Sequence, residues 1–147
     1  MNSPPLDQCL ICDIVTGHEI SSRVYEDDDV LAFMDLFPVN PGHVLVAPKV
    51  HAPGLIDLDL DLGMNLWRVA HRLARAVRET ALRCEGVNLF LADGQAAFQE
   101  VLHVHLHVIP RFVGDTFTIG AQWQRAERVD LDLVAGDLTT VMSRQPR

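Results

Sequence analysis

The sequence predicts an α+β fold built on a largely antiparallel sheet. Three observations carry this. Short β-type runs follow one another early, at residues 23–26, 30–36 and 43–47, with only turns between them. One long stretch with apolar residues three and four apart then occupies residues 55–84. Two further β-type runs come after it, at 87–91 and 101–110. Strands on both sides of one helix, with short links among the first three, favour segregated rather than alternating elements.

The 147 residues suit one domain, and 48% hydrophobic content supplies a core without staples. Residues 1–8 read as a loose leader rich in polar residues and proline. Asp7 is placed to cap a short helical turn over Cys9–Val15, which Gly17 would stop. Arg23–Glu26 and Val30–Leu36 flank Asp27-Asp28-Asp29 and form a hairpin. Pro38, Asn40, Pro41 and Gly42 punctuate the next loop. His43–Ala47 is a third strand, stopped by Pro48. In the long helix, Leu62, Leu66, Val69, Ala70, Leu73, Ala76, Val77 and Ala81 form the inner stripe. Arg68, Arg72, Arg75 and Arg78 form a solvated outer face, and Gly86 suits the helix stop. Cys84 reads as a small buried apolar residue near that helix end. Val87–Leu91 is a fourth strand. Leu131, Val134, Leu138, Val141 and Met142 mark a helix in a C-terminal extension, residues 116–147.

Composition excludes several classes. A net charge of −8 argues against a nucleic-acid backbone as ligand, since such binding needs clustered Lys and Arg. It leaves room for a small phosphorylated ligand at a local site. No apolar run reaches the ~18–20 residues of a membrane span, and the N-terminus lacks the pattern of a signal peptide. The expectation is a cytoplasmic protein with reduced cysteines. In that setting Cys9-x-x-Cys12 points to metal or redox chemistry rather than a structural disulfide.

The most informative stretch is Val101-Leu102-His103-Val104-His105-Leu106-His107-Val108-Ile109-Pro110. Strict alternation is the period of a strand, so the three histidines should share one face, neighbours roughly 6.5–7 Å apart. Three readings fit such a face: solvated histidines on a half-exposed strand, a metal site, or a phosphate-handling catalytic surface. A single ion held by all three is disfavoured, because the set would span roughly 13 Å while ligand bonds are near 2.0–2.1 Å.

His103-Val104-His105-Leu106-His107-Val108-Ile109 resembles the signature of the histidine triad (HIT) family. Val24-Tyr25-Glu26-Asp27, Phe33-Met34-Asp35, Pro41-Gly42-His43-Val44-Leu45-Val46-Ala47-Pro48-Lys49-Val50-His51 and Ala96-Ala97-Phe98-Gln99-Glu100-Val101 are similar to its other conserved-order segments. The match runs over roughly residues 9–115. The resemblance implies a single HIT-like domain and a nucleotide hydrolase or transferase acting at an α-phosphorus. Its ligand would be a purine nucleoside monophosphate derivative. His105 would be the nucleophile, forming a nucleotidyl-histidine. His43 and His107 would hold the phosphate oxygens, with backbone N–H groups at Gln99, Glu100 and Val101 as further donors. Asp35 would hold the ribose hydroxyls. The resemblance also implies a structural Zn²⁺ on Cys9, Cys12, His51 and His103, and a homodimer. A nucleotide-binding or protein-interaction module with little turnover is the alternative. Two departures favour it: Ala92 stands where the family usually has a phosphate-reaching amide, and Phe98 where it usually has glycine.

Overall fold

The computed structural model describes residues 9–146. The expected leader and the Asp7 cap lie outside them. The chain divides into two compact units, one up to Thr116 and one from Phe117 onward.

The first unit is an α+β fold with one five-stranded antiparallel sheet. Helix α1 spans Leu10–Thr16 and ends at Gly17, whose φ of 82° gives the left-handed cap. Strands β1 (Arg23–Glu26), β2 (Val30–Met34) and β3 (Val44–Pro48) follow as a meander. Helix α2 covers Leu60–Ala76, and β4 (Gly86–Leu91) and β5 (Leu106–Arg111) complete the sheet in the order β1-β2-β3-β5-β4. Alternation along β2 divides the core. Val30 and Ala32 pack with Val44, Val46 and Val108 against Leu66, Val69 and Ala70 of α2. Leu31 and Phe33 pack on the other face with Ala47 against Ile11 and Ile14 of α1.

Several boundaries differ from the sequence pattern. The expected helix 55–84 is shorter at both ends. A 3-10 turn occupies Leu55–Asp57, and Asp59 caps α2 by accepting from the N–H groups of Asp61 and Leu62. At the far end the helix tightens into a 3-10 turn, Val77–Glu79, and the Thr80 hydroxyl donates to the Val77 carbonyl. Gly86 therefore opens β4 rather than stopping a helix. Cys84 lies past the helix, half-buried, its thiol donating to the Gly86 carbonyl. Strand β2 stops two residues early, because Asp35 Oδ1 accepts from the Phe37 N–H and turns the chain.

The largest correction concerns the histidine stretch. Only residues from Leu106 onward belong to a strand. His103 N–H donates to the Val101 carbonyl at 2.8 Å, a turn too tight for a strand, and Val104 N–H donates to Ala52 at 2.7 Å. His103 and His105 are thus carried by a bent segment entering β5, not by a regular face shared with His107.

In the second unit, α3 spans Arg128–Met142, as the spacing of Leu131, Val134, Leu138 and Val141 predicts, and every residue of it is exposed.

Candidate functional site

His43 owes its position to a glycine. Gly42 has φ of 90°, and a Cβ there would meet Leu82 Cδ1 at 2.7 Å. The turn before it is pinned by the buried Asn40, whose side-chain amide donates to the Pro110 carbonyl at 2.9 Å and to Asp115 Oδ2 at 2.8 Å. Asp115 also receives both arms of Arg111, which hold its carboxyl well below the usual range.

Three histidines and Asp35 then form a chain. Val39 N–H donates to His43 Nδ1 at 3.2 Å, so neutral His43 carries its proton on Nε2. That proton is donated to His107 Nδ1 at 2.9 Å, which leaves His107 protonated on its own Nε2. Asp35 Oδ2 lies 3.5 Å from His43 Nδ1. Because Nδ1 is already an acceptor, the pair interacts through charge rather than a hydrogen bond. His105 closes the group: its ring centre is 4.8 Å from that of His107, and its Nδ1 donates to the His103 carbonyl at 2.7 Å. Nε2 of His105 is therefore left with its lone pair.

Burial sets the charge state. It pushes His107 down to about 4, helped by repulsion from His105 and His43. His43 is lowered for the same first reason, partly offset by Asp35. Asp35, His43 and His107 could be taken for a metal set. His43 meets the other two through opposite ring nitrogens, however, and one imidazole cannot turn both toward one ion.

A second cluster lies behind the first. Cys9 Sγ is 3.4 Å and Cys12 Sγ 3.6 Å from His103 Nδ1, Cys12 Sγ is 3.4 Å from His51 Nδ1, and the two imidazole nitrogens are 3.3 Å apart. Tetrahedral zinc with Zn–S near 2.3 Å and Zn–N near 2.0–2.1 Å has edges of about 3.5 Å (S···N) and about 3.3 Å (N···N). The donor set fits that ion. His103 Nε2–H donates to the Pro48 carbonyl at 2.8 Å, which keeps the Nδ1 lone pair turned to the cluster. Burial pushes the Cys12 thiol up to about 11, and Cys9 adds to the shift. A cation is what would let such a pair ionise.

The sequence names every member of both clusters. The anticipated loop of backbone donors is changed in one place: Gln99 N–H is already given to the Gly94 carbonyl, and its side chain ties Gly94 N–H to the Pro53 carbonyl. Glu100 and Val101 N–H have no partner among the described residues. Ala92 is buried, and neighbouring Asp93 accepts from the Leu55 N–H, so it is spent on the fold. The sequence reading missed Asn40, Arg111 and Asp115. No spacing flags them, since the bonds between Asn40 and the other two segments join residues 70 and 75 apart.

Comparison with known proteins agrees with this picture. The HIT domain model matches residues 17–114. An uncharacterized HIT-like protein of Mycobacterium tuberculosis is 40% identical over 111 residues, 76% of each chain. The crystal structure of a HIT family protein from Bacillus anthracis covers 92% of this chain and 97% of its own, with TM-score 0.83 and 35% identity. That of a Zn-bound histidine triad family protein from Mycobacterium smegmatis covers 96% and 100%, with TM-score 0.74 and 36% identity. With the HIT domain model matching residues 17–114 and relatives of 35–40% identity covering most of its length, the chain belongs to the HIT family.

Proposed function

We propose that this protein is a nucleotide hydrolase or transferase that cleaves nucleoside 5′-phosphate derivatives at the α-phosphorus through a covalent nucleotidyl-histidine. The observation that carries the reading is the fixed tautomer of His105. With Nδ1–H held by the His103 carbonyl, Nε2 presents a lone pair in a buried site next to two other neutral imidazoles.

Attack by Nε2 forms the P–N bond as the bond to the leaving group breaks. His107 Nε2–H is the donor for a phosphate oxygen or for the departing atom. The N–H groups of Glu100 and Val101 take further phosphate oxygens. Water, or another acceptor, then attacks the phosphorus, the P–N bond breaks, and the nucleoside monophosphate leaves. Asp35 holds the ribose hydroxyls with the oxygen not given to Phe37. Cys9, Cys12, His51 and His103 hold a structural zinc; the M. smegmatis relative binds zinc. When bound, the ion fixes the His103 ring and so the backbone that orients His105. The chain also forms a homodimer. In support, β4 is an edge strand, and Leu60, Met64 and Trp67 are exposed on one side of α2 at helical spacing. Light scattering tests this, and a monomer would refute it. Among the described residues no helix is long and apolar enough to cross a membrane.

The deciding experiment incubates the protein with an adenosine 5′-phosphoramidate, quenches in base and maps peptide masses. An AMP adduct on the peptide holding His105 is expected. No adduct and no AMP release, with AMP still bound, would replace the enzyme with a binding module.

A further inference from the structure

One buried carboxylate has no place yet in the chemistry. The Asp115 side chain is 3% exposed and accepts from Arg111 Nε at 2.6 Å, Arg111 Nη2 at 2.7 Å and Asn40 Nδ2 at 2.8 Å. Asn40 also donates to the Pro110 carbonyl at 2.9 Å. Both partners of that amide are pure acceptors, so its NH2 end cannot turn away from them. Asn40 opens a tight turn. Its carbonyl accepts from the His43 N–H at 3.1 Å, with Pro41 second and Gly42, φ 90°, third, the pattern of a type II turn. The His43 ring folds back over this turn and takes the Val39 N–H on Nδ1. Arg111 lies four residues after His107 on β5, so the two project from the same face of one strand. The Asp115 carboxylate thus joins the turn that holds His43 to the strand that carries His107.

We infer that Asp115, acting through Asn40, is a positioning residue that sets the tautomers of His43 and His107. This rests on the nucleotidyl-transfer reading, in which His107 Nε2–H serves the phosphate. Two groups compete for His43 Nδ1. Val39 N–H donates to it at 3.2 Å, and Asp35 Oδ2 lies 3.5 Å away. The Val39 bond is already long, so a displacement of the turn by roughly 0.3–0.4 Å breaks it. Nδ1 then gains by carrying a proton, which Asp35 accepts in a charge-assisted hydrogen bond. The His43 proton moves from Nε2 to Nδ1. The bare Nε2 now accepts from His107, whose own proton moves from Nε2 to Nδ1 in turn. No proton is gained or lost, yet His107 presents a lone pair where it had presented a donor, and a phosphate oxygen meets repulsion. Asp115 prevents this by holding Asn40, and with it the adjoining Val39, against β5.

The test reads the ring nitrogens directly. In Asp115→Asn the side chain keeps its shape but offers an NH2 of its own, so the Asn40 amide can reverse and leave the Pro110 carbonyl without a donor. Nitrogen-15 NMR spectra of the histidine side chains, assigned with His43→Gln and His107→Asn, should show bare Nδ1 and protonated Nε2 on both rings in wild type. In Asp115→Asn and in Asn40→Ala both rings should shift together toward the opposite tautomer. Turnover of adenosine 5′-phosphoramidate should fall roughly 10- to 100-fold in kcat, since a mixed population loses less than the roughly 10²–10³-fold that removal of one donor costs. Val69→Ala, a core truncation on α2, lowers stability without touching the clamp and should keep the wild-type spectrum. Wild-type nitrogen signals in both Asp115→Asn and Asn40→Ala, with lowered Tm, overturn the inference and leave the clamp as a stabiliser of the fold. An equal shift in Val69→Ala overturns it too. The spectra need no substrate: a wild type that forms no AMP would defeat the proposed reaction, and the nitrogen signals would still decide Asp115.

Discussion

Phe98→Gly should stabilise this protein. Among the described residues Phe98 is the one non-glycine residue with positive φ, at 65° with ψ 30°. The left-handed region costs an L-residue roughly 1–2 kcal/mol. Nothing in the packing offsets it, because the ring is 83% exposed. The conformation persists because the loop is fixed on both sides: Phe98 N–H donates to the Gln95 carbonyl, Gln99 N–H to that of Gly94, and the Gln99 side chain to Pro53. Replacing Phe by Gly removes the strain but loosens the unfolded chain by about 0.4–1 kcal/mol. The net gain is about 0.5–1 kcal/mol, or roughly 1–4 °C in Tm for a chain of this size. Phe98→Ala keeps the strain and should leave Tm within a degree of wild type. Circular dichroism melts of the three proteins decide the matter. A lower Tm for Phe98→Gly, or equal rises for Gly and Ala, would refute the reasoning.

Three more outcomes are expected. Stability should depend on pH through His107, whose folded value of about 4 lies below its unfolded 6.5. Between those values the unfolded chain binds a proton that the folded one excludes, so stability is present above pH ~6.5 and lost toward pH ~4, by at most about 3 kcal/mol; urea titrations of His107→Asn should show a shallower decline than wild type over that window. Metal content by atomic absorption should approach one zinc per chain in wild type and in Cys84→Ser, and drop below about a tenth in Cys9→Ser; unchanged zinc in Cys9→Ser would remove the cysteines from the site. Asn40→Ala strands the buried Pro110 carbonyl and should cost about 1–3 kcal/mol by denaturant melts, with weaker AMP binding as the turn before His43 loosens.

The parts of the fold that local pattern controls were legible. The Val30-to-Phe33 run announces a strand because both faces of it are buried, and Gly17 ends its helix where φ must turn positive. Cys9, Cys12, His51 and His103 were legible as chemistry and through family resemblance, although 94 residues separate the first from the last. What local pattern could not convey was set by partners distant in sequence. The alternation at 101–110 reads as one strand, yet the Ala52 carbonyl takes Val104 N–H and bends its first half away. Helical spacing runs on through Ala81, and the Thr80 hydroxyl stops it. The tautomers of His43, His105 and His107 depend on single backbone groups of Val39 and His103, which have no signature in residue type.

The contact between His105 and His103 has a consequence for heredity. Nδ1 of His105 is held by a main-chain oxygen, and every amino acid carries one. A point mutation at position 103 can delete the ring that faces Cys9 and Cys12, but it leaves that oxygen in the chain. Descendants of this protein can therefore lose the imidazole at position 103 without losing the acceptor that holds the proton on the nucleophile, for as long as the backbone there keeps its course.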